Sequence, residues 1–311
     1  METHLTADTV REWGRRFSNW GRWGPDDQRG TLNFITRERV LAACALPRSG
    51  RVISCGLPFH AEGPQSGPPG RANPAHRMLT TGGQTLDGGV EFADDAVDMP
   101  LQCATQWDSL AHVFYDGRMY NDRPSSGITE QGAEANSIDR VADSFVARGV
   151  LLDLPRVLGV AGLDPGTPVT PDMLDTSAER CGVTVEPGDV LLVRTGHMAR
   201  TRAAGSLHGY ANGPAPGLSV HCARWLYERE VAAVATDTAA LEVIPSEVPE
   251  CLIPFHMIAI RDMGMSLGEM FDLDPLASAC AEDHGYAFLF SAPPLPFLRA
   301  VGSPVNPIAI K

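Results

Sequence analysis

The segment from residue 99 to residue 121 reads MPLQCATQWDSLAHVFYDGRMYN and places Gln102, Gln106, Asp108 and His112 within eleven residues. Gln102, Gln106 and Asp108 are separated by even numbers of positions, so on a β-strand their side chains point to the same face. His112 follows Asp108 by four residues, a spacing that suits a turn leading back into the same cavity. The pattern indicates either a polar site at a strand end or a satisfied Asp108 beside packed aromatic residues.

The rest of the chain predicts an α/β fold. Residues 149–154 (GVLLDL), 190–194 (VLLVR), 231–236 (VAAVAT) and 286–290 (YAFLF) are predicted buried strands, and 51–57 a further strand. Helices are predicted at 37–44, capped by Thr36, and at 219–230, capped by Ser219. Because no repeat or linker divides the 311 residues, we expect one domain over 1–311, with an aromatic, glycine-rich extension at about 1–36.

Composition excludes several classes of protein. The chain has 25 Lys and Arg against 38 Asp and Glu, a net charge of −13, and no basic run, so nucleic acid is not an expected partner. No apolar stretch approaches the ~18 residues of a membrane span, and the N-terminus lacks a signal pattern. Seven scattered cysteines without a Cys-x-x-Cys pair favour reduced thiols, so we expect a cytoplasmic protein. Phosphate-loop, serine-elbow and His-Glu-x-x-His motifs are absent from the sequence.

The central segment resembles the signature of the metal-dependent cyclase family, which includes bacterial kynurenine formamidases and isatin hydrolases. The family pattern is His-x-Gly-Thr-His-x-Asp-x-x-x-His, and Thr105, Asp108 and His112 match it. The departures are Gln102 and Gln106 in place of histidines and Ala104 in place of glycine. Residues 256–276 resemble the family's C-terminal stretch, and 302–307 and 23–33 resemble its longer-chain branch, so the similarity runs from about residue 19 to the end.

The resemblance implies a fold, an assembly and a site. The family fold is a swivelling β/β/α domain. The family usually occurs as dimers or larger oligomers, so the resemblance implies a homodimer or homotetramer. The family's first metal ion is held at positions occupied here by Gln102, Gln106 and Asp108. Asp108 can bridge to a second ion, which His256 and Glu269 would hold. His112 corresponds to the histidine that acts as general acid and base without binding metal.

The two glutamines leave three possibilities for the metal. A neutral amide oxygen is a weaker ligand than imidazole, so the substitutions lower the affinity for Zn²⁺ and favour Mn²⁺, Mg²⁺ or Ca²⁺. One divalent ion (Mn²⁺, Zn²⁺ or Mg²⁺) at Asp108, His256 and Glu269 is the first possibility. The second adds the oxygens of Gln102 and Gln106 as ligands, and the third is a pocket that binds no metal.

The expected function is hydrolysis of a small cyclic amide, lactone or aryl formamide at its C–N or C–O bond. A metal-activated water attacks the carbonyl, and His112 moves the proton. One alternative is a metal-free cyclase or isomerase of secondary metabolism that uses the same pocket. Another is a descendant without catalytic activity that binds a small ligand.

Four further residues are candidates for contact with the substrate. Trp107 alternates away from the polar face and suits either a pocket wall or the core. Tyr115 fits an aromatic pocket, although aromatic residues after a strand are more often core. His197 follows the predicted strand 190–194, with a surface loop as its alternative. Arg77, after the glycine- and proline-rich stretch 61–75, suits a substrate carboxylate.

Overall fold

A nine-stranded mixed β-sheet forms the centre of the structure, a computed structural model that describes residues 5–65, 71–83, 85–207 and 210–311. The described strands, in chain order, are β1 Val52–Ser54, β2 Ala75–Thr81, β3 Ala93–Asp98, β4 Gln106–Asp108, β5 Ile128–Thr129, β6 Gly132–Ala133, β7 Val146–Asp153, β8 Pro168–Val169, β9 Val190–Arg194, β10 Gly217–Leu218, β11 Ala233–Thr236, β12 Ser266–Glu269, β13 Ala287–Ser291, β14 Gly302–Pro304 and β15 Ile308–Ile310. Part of the predicted loop 61–75, residues 66–70, lies outside the described residues.

The sheet order is β1-β15-β13-β7-β9-β11-β12-β4-β14. The four strands from β7 to β12 are parallel, and the outer strands pair antiparallel. Three of these four strands, β7, β9 and β11, are largely buried on both faces and contain continuous apolar stretches, whereas β12 (SLGE) does not. That property explains why the predictions at 149–154, 190–194 and 231–236 agree with β7, β9 and β11 to within a few residues. The prediction at 286–290 also agrees with β13, although β13 is antiparallel and its burial alternates.

Helices and apolar side chains cover the two faces of the sheet. The described helices are α1 Ala7–Arg16, α2 Arg37–Cys44, α3 Leu154–Leu158, α4 Pro171–Arg180, α5 His197–Ala203, α6 Cys222–Glu228, α7 Pro254–His256 and α8 Asp274–Asp283, with a π-helix at Met257–Met263 and 3₁₀ turns at Gly30–Phe34, Asp87–Gly89, Tyr120–Asp122, Ser125–Gly127 and Ile138–Val141. Thr36 caps α2, as predicted. The prediction at 219–230 began too early: α6 starts at Cys222, and the Ser219 hydroxyl donates to Glu247 instead of capping the helix.

Two segments lie apart from the main sheet. In the N-terminal extension, the Asn19 backbone N–H donates to the Asp262 carbonyl at 3.0 Å, which ties the extension to the π-helix. Strands β2 and β3 form a separate hairpin whose residues are almost all exposed. None of the helices in the described part of the chain is long and apolar enough to cross a membrane.

The strand predictions at 51–57 and around residue 102 were too long. Only Val52–Ser54 pairs in the first, and the second pairs only over Gln106–Asp108. Ala104 has a φ of +53°, in the left-handed region, so the backbone turns immediately before β4. A left-handed residue cannot continue a strand. The same conformation explains why the related motif has glycine at this position.

Candidate metal centre and active site

Strand β4 places its polar side chains on one face and an aromatic side chain on the other. β4 lies between β12 and β14, with Gln106 opposite Glu269 in the register. Trp107 points into the core, where it stacks on Phe145 at 4.5 Å between ring centroids and donates its indole N–H to the Ala292 carbonyl at 2.9 Å. Trp107 is fully buried, so the structure places it in the core and not in a pocket wall.

Asp108, His256 and Glu269 lie together at the end of this strand pair. One ligand atom from each residue lies within 4.8 Å of the other two. His256 Nε2 is 3.9 Å from Asp108 Oδ2 and 3.4 Å from Glu269 Oε1. All three side chains are buried, and their exposed fractions are 1%, 4% and 6%. Two carboxylates and one imidazole form a set of ligands that divalent metal sites commonly use.

A fourth buried residue, Glu242, holds the imidazole of His256 in place. Its Oε1 lies 2.5 Å from His256 Nδ1 and accepts the His256 backbone N–H at 3.0 Å. Its Oε2 accepts the Phe255 N–H at 3.0 Å. Nε2 of His256 therefore faces Asp108 and Glu269. The sequence analysis missed Glu242, although a carboxylate soon after the end of a buried strand was a usable signal.

Electrostatics favour a positive charge inside this cluster. Burial lowers the pKa of His256, but hydrogen bonds and charge attraction from Glu242 and Glu269 outweigh burial and raise it to about 10. Burial raises the pKa of Glu269, and the charge of Asp108 raises it further, while His256 and Arg71 oppose the shift. The imidazolium of His256 thus offsets the carboxylates, and a metal ion on Nε2 would have to displace its proton.

Two unpaired oxygen atoms fit a cation at the cluster. Gln106 Oε1 and Asp108 Oδ1 are buried, and neither has a hydrogen-bond partner among the described residues. Gln106 Nε2 donates to Glu269 Oε2 at 2.8 Å, which leaves its own oxygen free to accept. Buried oxygens without donors are costly unless a cation or water satisfies them. The residues present therefore fit a divalent ion with oxygen ligands.

Gln102 lies at the edge of this site. A Cβ atom on Gly302 would come within 2.5 Å of Gln102 Nε2, so its amide packs closely over Gly302. Gly302 is the register partner of Asp108 in β14, which places the amide beside the strand that carries Asp108. The Gln102 Nε2 is buried and has no hydrogen-bond partner among the described residues.

His112 and Arg71 form the outer side of the site. His112 Nε2 lies 3.7 Å from Asp108 Oδ1, and the His112 side chain is 22% exposed. Arg71 Nη1 donates to the Gln102 carbonyl at 3.1 Å, and Nη2 lies 3.4 Å from His112 Nε2. Arg77, the arginine expected here, is instead exposed on β2 of the hairpin. Arg71 lies within the glycine- and proline-rich stretch 61–75 and Arg77 follows it, and the sequence there carries no periodicity that would distinguish the two.

The remaining predicted residues lie in other surroundings. Tyr115 donates its hydroxyl to Asp262 at 2.6 Å, beside the N-terminal extension. His197 begins α5 and packs on Tyr210 at 5.1 Å between ring centroids, and burial lowers its pKa. Among the described residues, neither Tyr115 nor His197 makes a contact with Asp108, His256 or Glu269. Cys103, next to Gln102 in the chain, was not a predicted site residue; it is buried, and burial raises its pKa to about 11, so the thiol is protonated at neutral pH.

Comparison with known proteins identifies the same family as the sequence motif. Residues 22–243 match the family model named Cyclase, described as "Putative cyclase". The chain belongs to the cyclase family. The crystal structure of a novel cyclase is similar to this family member at 37% sequence identity and a TM-score of 0.87, over 96% of this chain and 99% of that one. The predicted α/β fold of the cyclase type is thereby confirmed.

More distant structures share the fold of this cyclase-family protein. Isatin hydrolase A from Ralstonia solanacearum matches at 19% identity and a TM-score of 0.63, covering 87% of this chain and 94% of that one. A predicted metal-dependent hydrolase from Bacillus stearothermophilus matches at 16% identity and 0.53, covering 83% and 97%. The search of curated proteins gave no match.

Proposed function

We propose that this cyclase-family protein is a metal-dependent hydrolase that opens a small cyclic amide or lactone, or cleaves an aryl formamide. The supporting observation is the buried cluster of Asp108, His256 and Glu269, with unpaired oxygens of Asp108 and Gln106 beside it. The names of the isatin hydrolase and metal-dependent hydrolase structures point to the same class of reaction.

The proposed ligands are Asp108, His256 and Glu269, with the Gln106 oxygen as a weaker fourth and Gln102 at the edge. A bound divalent ion supplies Lewis acidity, which polarises a carbonyl and lowers the pKa of water. Oxygen donors outnumber nitrogen donors in this set, which favours Mn²⁺ or Mg²⁺ more than a histidine-rich site does. Glu242 orients His256, as carboxylates commonly orient metal-binding imidazoles.

His112 is the proposed general base and acid. Its Nε2 takes a proton from water as the water oxygen adds to the carbonyl carbon. The C–N or C–O bond then breaks, and His112 returns the proton to the leaving nitrogen or oxygen. Asp108, 3.7 Å from Nε2, stabilises the positive charge that the ring carries between the two steps.

The experiment combines metal analysis with a panel of simple substrates. Protein dialysed against Zn²⁺, Mn²⁺ or Mg²⁺ is analysed for metal and assayed with succinimide, γ-butyrolactone and formanilide, and with 2-formamidobenzoate, the counterpart of formanilide that carries a carboxylate. We expect about one ion per chain, turnover of one substrate class, and loss of both in Asp108→Asn. Turnover that survives metal removal but not His112→Ala would instead support the metal-free cyclase or isomerase.

The proposed assembly is a homodimer or homotetramer. Its support is the hairpin of β2 and β3, which exposes apolar side chains on both strands and the turn between them. These are Met78, Leu79, Leu86, Val90, Phe92 and Val97, with exposed fractions from 46% to 55%. A lone two-stranded hairpin is marginally stable in water, so a cover from a second copy would stabilise it.

A further inference from the structure

We infer that Arg71 selects substrates that carry a carboxylate close to the reacting carbonyl. This inference rests on the proposed function, because it assigns the substrate class of the same site. It concerns an arginine that the family motif does not contain and that the sequence analysis passed over.

The position of Arg71 places its guanidinium where the open side of the site meets solvent. The side chain is 37% exposed, whereas that of Glu269 behind it is 6% exposed. Nη2 lies 3.4 Å from the Nε2 of His112, the proposed base. A ligand group held by Arg71 therefore sits next to the atoms that would react, on the side facing the solvent.

Several N–H groups of the Arg71 guanidinium remain available to a ligand. Its hydrogen bond to the Gln102 carbonyl fixes Nη1, but its nearest carboxylate among the described residues, Glu269, lies 4.0 Å away, beyond hydrogen-bond distance. Arg194 shows the contrasting arrangement, because its guanidinium lies 2.8 Å from both Asp153 and Asp274. A planar guanidinium with free N–H groups matches the two oxygens of a carboxylate.

The charges around the site explain why an anion needs this arginine. Asp108, Glu269 and Glu242 are acidic and buried within the same cluster, and the chain as a whole has a net charge of −13. An anionic substrate approaching this end of the sheet is repelled unless a cation faces it. Arg71 is the arginine that the described contacts place beside both His112 and Glu269.

Binding of a carboxylate would also change the partner of the proposed base. In the structure Arg71 Nη2 faces His112 Nε2, the lone pair that must accept the water proton. A carboxylate is a stronger acceptor for guanidinium than a neutral imidazole nitrogen, so it draws Nη2 away from the ring. The correct substrate thus frees His112 for proton transfer.

Benzoate and benzamide test the inference, because they have nearly the same shape and differ in charge. Their affinities are measured by ligand-observed NMR for the wild type, Arg71→Gln, Arg71→Lys and the matched control Arg77→Gln on the exposed hairpin. Each protein is measured loaded with Zn²⁺ and again after dialysis free of metal and chelator. Thermal melts check that every variant folds.

We expect the wild type and Arg77→Gln to bind benzoate at least about tenfold more tightly than benzamide, with and without metal. Arg71→Gln should bind the two equally, and Arg71→Lys should keep part of the preference. The inference is overturned if Arg71→Gln retains the preference, or if removing Zn²⁺ abolishes it in the wild type, since the metal would then be the anion receptor. An Arg71-dependent preference in a protein that hydrolyses none of the assayed substrates, with or without a carboxylate, would contradict only the proposed function.

Discussion

Substitution of Glu242 by glutamine tests how the site holds its imidazole. Glu242 accepts three hydrogen bonds, two through Oε1 from His256 and one through Oε2 from the Phe255 N–H. The amide of glutamine has one oxygen, so its NH₂ group must face a donor. The less costly orientation keeps the oxygen on His256 and sets the NH₂ group against the Phe255 N–H.

The structure gives the size of the effect. One lost hydrogen bond with a buried donor left unpaired costs about 1–3 kcal/mol of folding stability. Removing a carboxylate that orients a metal-binding histidine typically weakens metal binding about 10–100-fold, or roughly 1.4–2.8 kcal/mol. We therefore expect Glu242→Gln to fold, to unfold at lower denaturant concentration, and to hold its divalent ion at least about tenfold less tightly.

The assay is competition for Zn²⁺ against a fluorescent chelator, with urea unfolding of the metal-free proteins in parallel. Glu247→Gln is the matched control, because Glu247 also accepts from a backbone N–H, that of Val220 at 2.8 Å, near the start of α6. Affinity in Glu242→Gln within twofold of the wild type would refute the reasoning. So would an equal loss of affinity in Glu247→Gln, since a general loss of stability would then explain both.

Three further predictions concern the base, the pH dependence and the hairpin. His112→Ala should lower kcat about 10²–10⁴-fold without lowering the metal content; equal loss of metal would make His112 a ligand. Because the pKa of His256 is raised from 6.5 to about 10, its contribution to metal-free stability is complete below pH 6.5 and lost as pH rises towards 10. Urea unfolding across that range should show a steeper decline in the wild type than in His256→Gln; parallel curves would contradict the shift. Leu79→Asp combined with Phe92→Asp should lower the mass measured by light scattering to that of one chain, and an unchanged oligomer would place the interface elsewhere.

The sequence predicted the middle of the sheet better than its edges. β7, β9 and β11 are buried on both faces, so their apolar runs stand out from the surrounding sequence. β4, β12 and β14 have the sequences QWD, SLGE and GSP, which are too short and too polar to show a strand period. Their pairing depends on contacts distant in the chain, which local propensity does not contain.

The candidate site was likewise predicted only in part. The resemblance pointed to Asp108, His256 and Glu269, and the structure brings these three together. Arg71 and Glu242 were missed because each acts through contacts between residues distant in the chain. Arg71 contacts Gln102 and His112, and Glu242 contacts the backbone at the start of a short helix. Arg71 carries no local pattern that separates it from a surface charge, and the only sequence signal for Glu242 is its place soon after the end of β11.

The pairing of β4 with β12 has a consequence for the order in which the molecule is made. Gln106 and Glu269 are neighbours in the sheet but lie 163 positions apart in the chain. When synthesis has just passed residue 112, the polypeptide contains Asp108 and His112. It still lacks His256 and Glu269, which complete the cluster. Closing so long a loop is slow and follows the formation of local contacts. A divalent ion at this cluster would therefore be acquired only after residue 269 has been made and β12 has paired with β4.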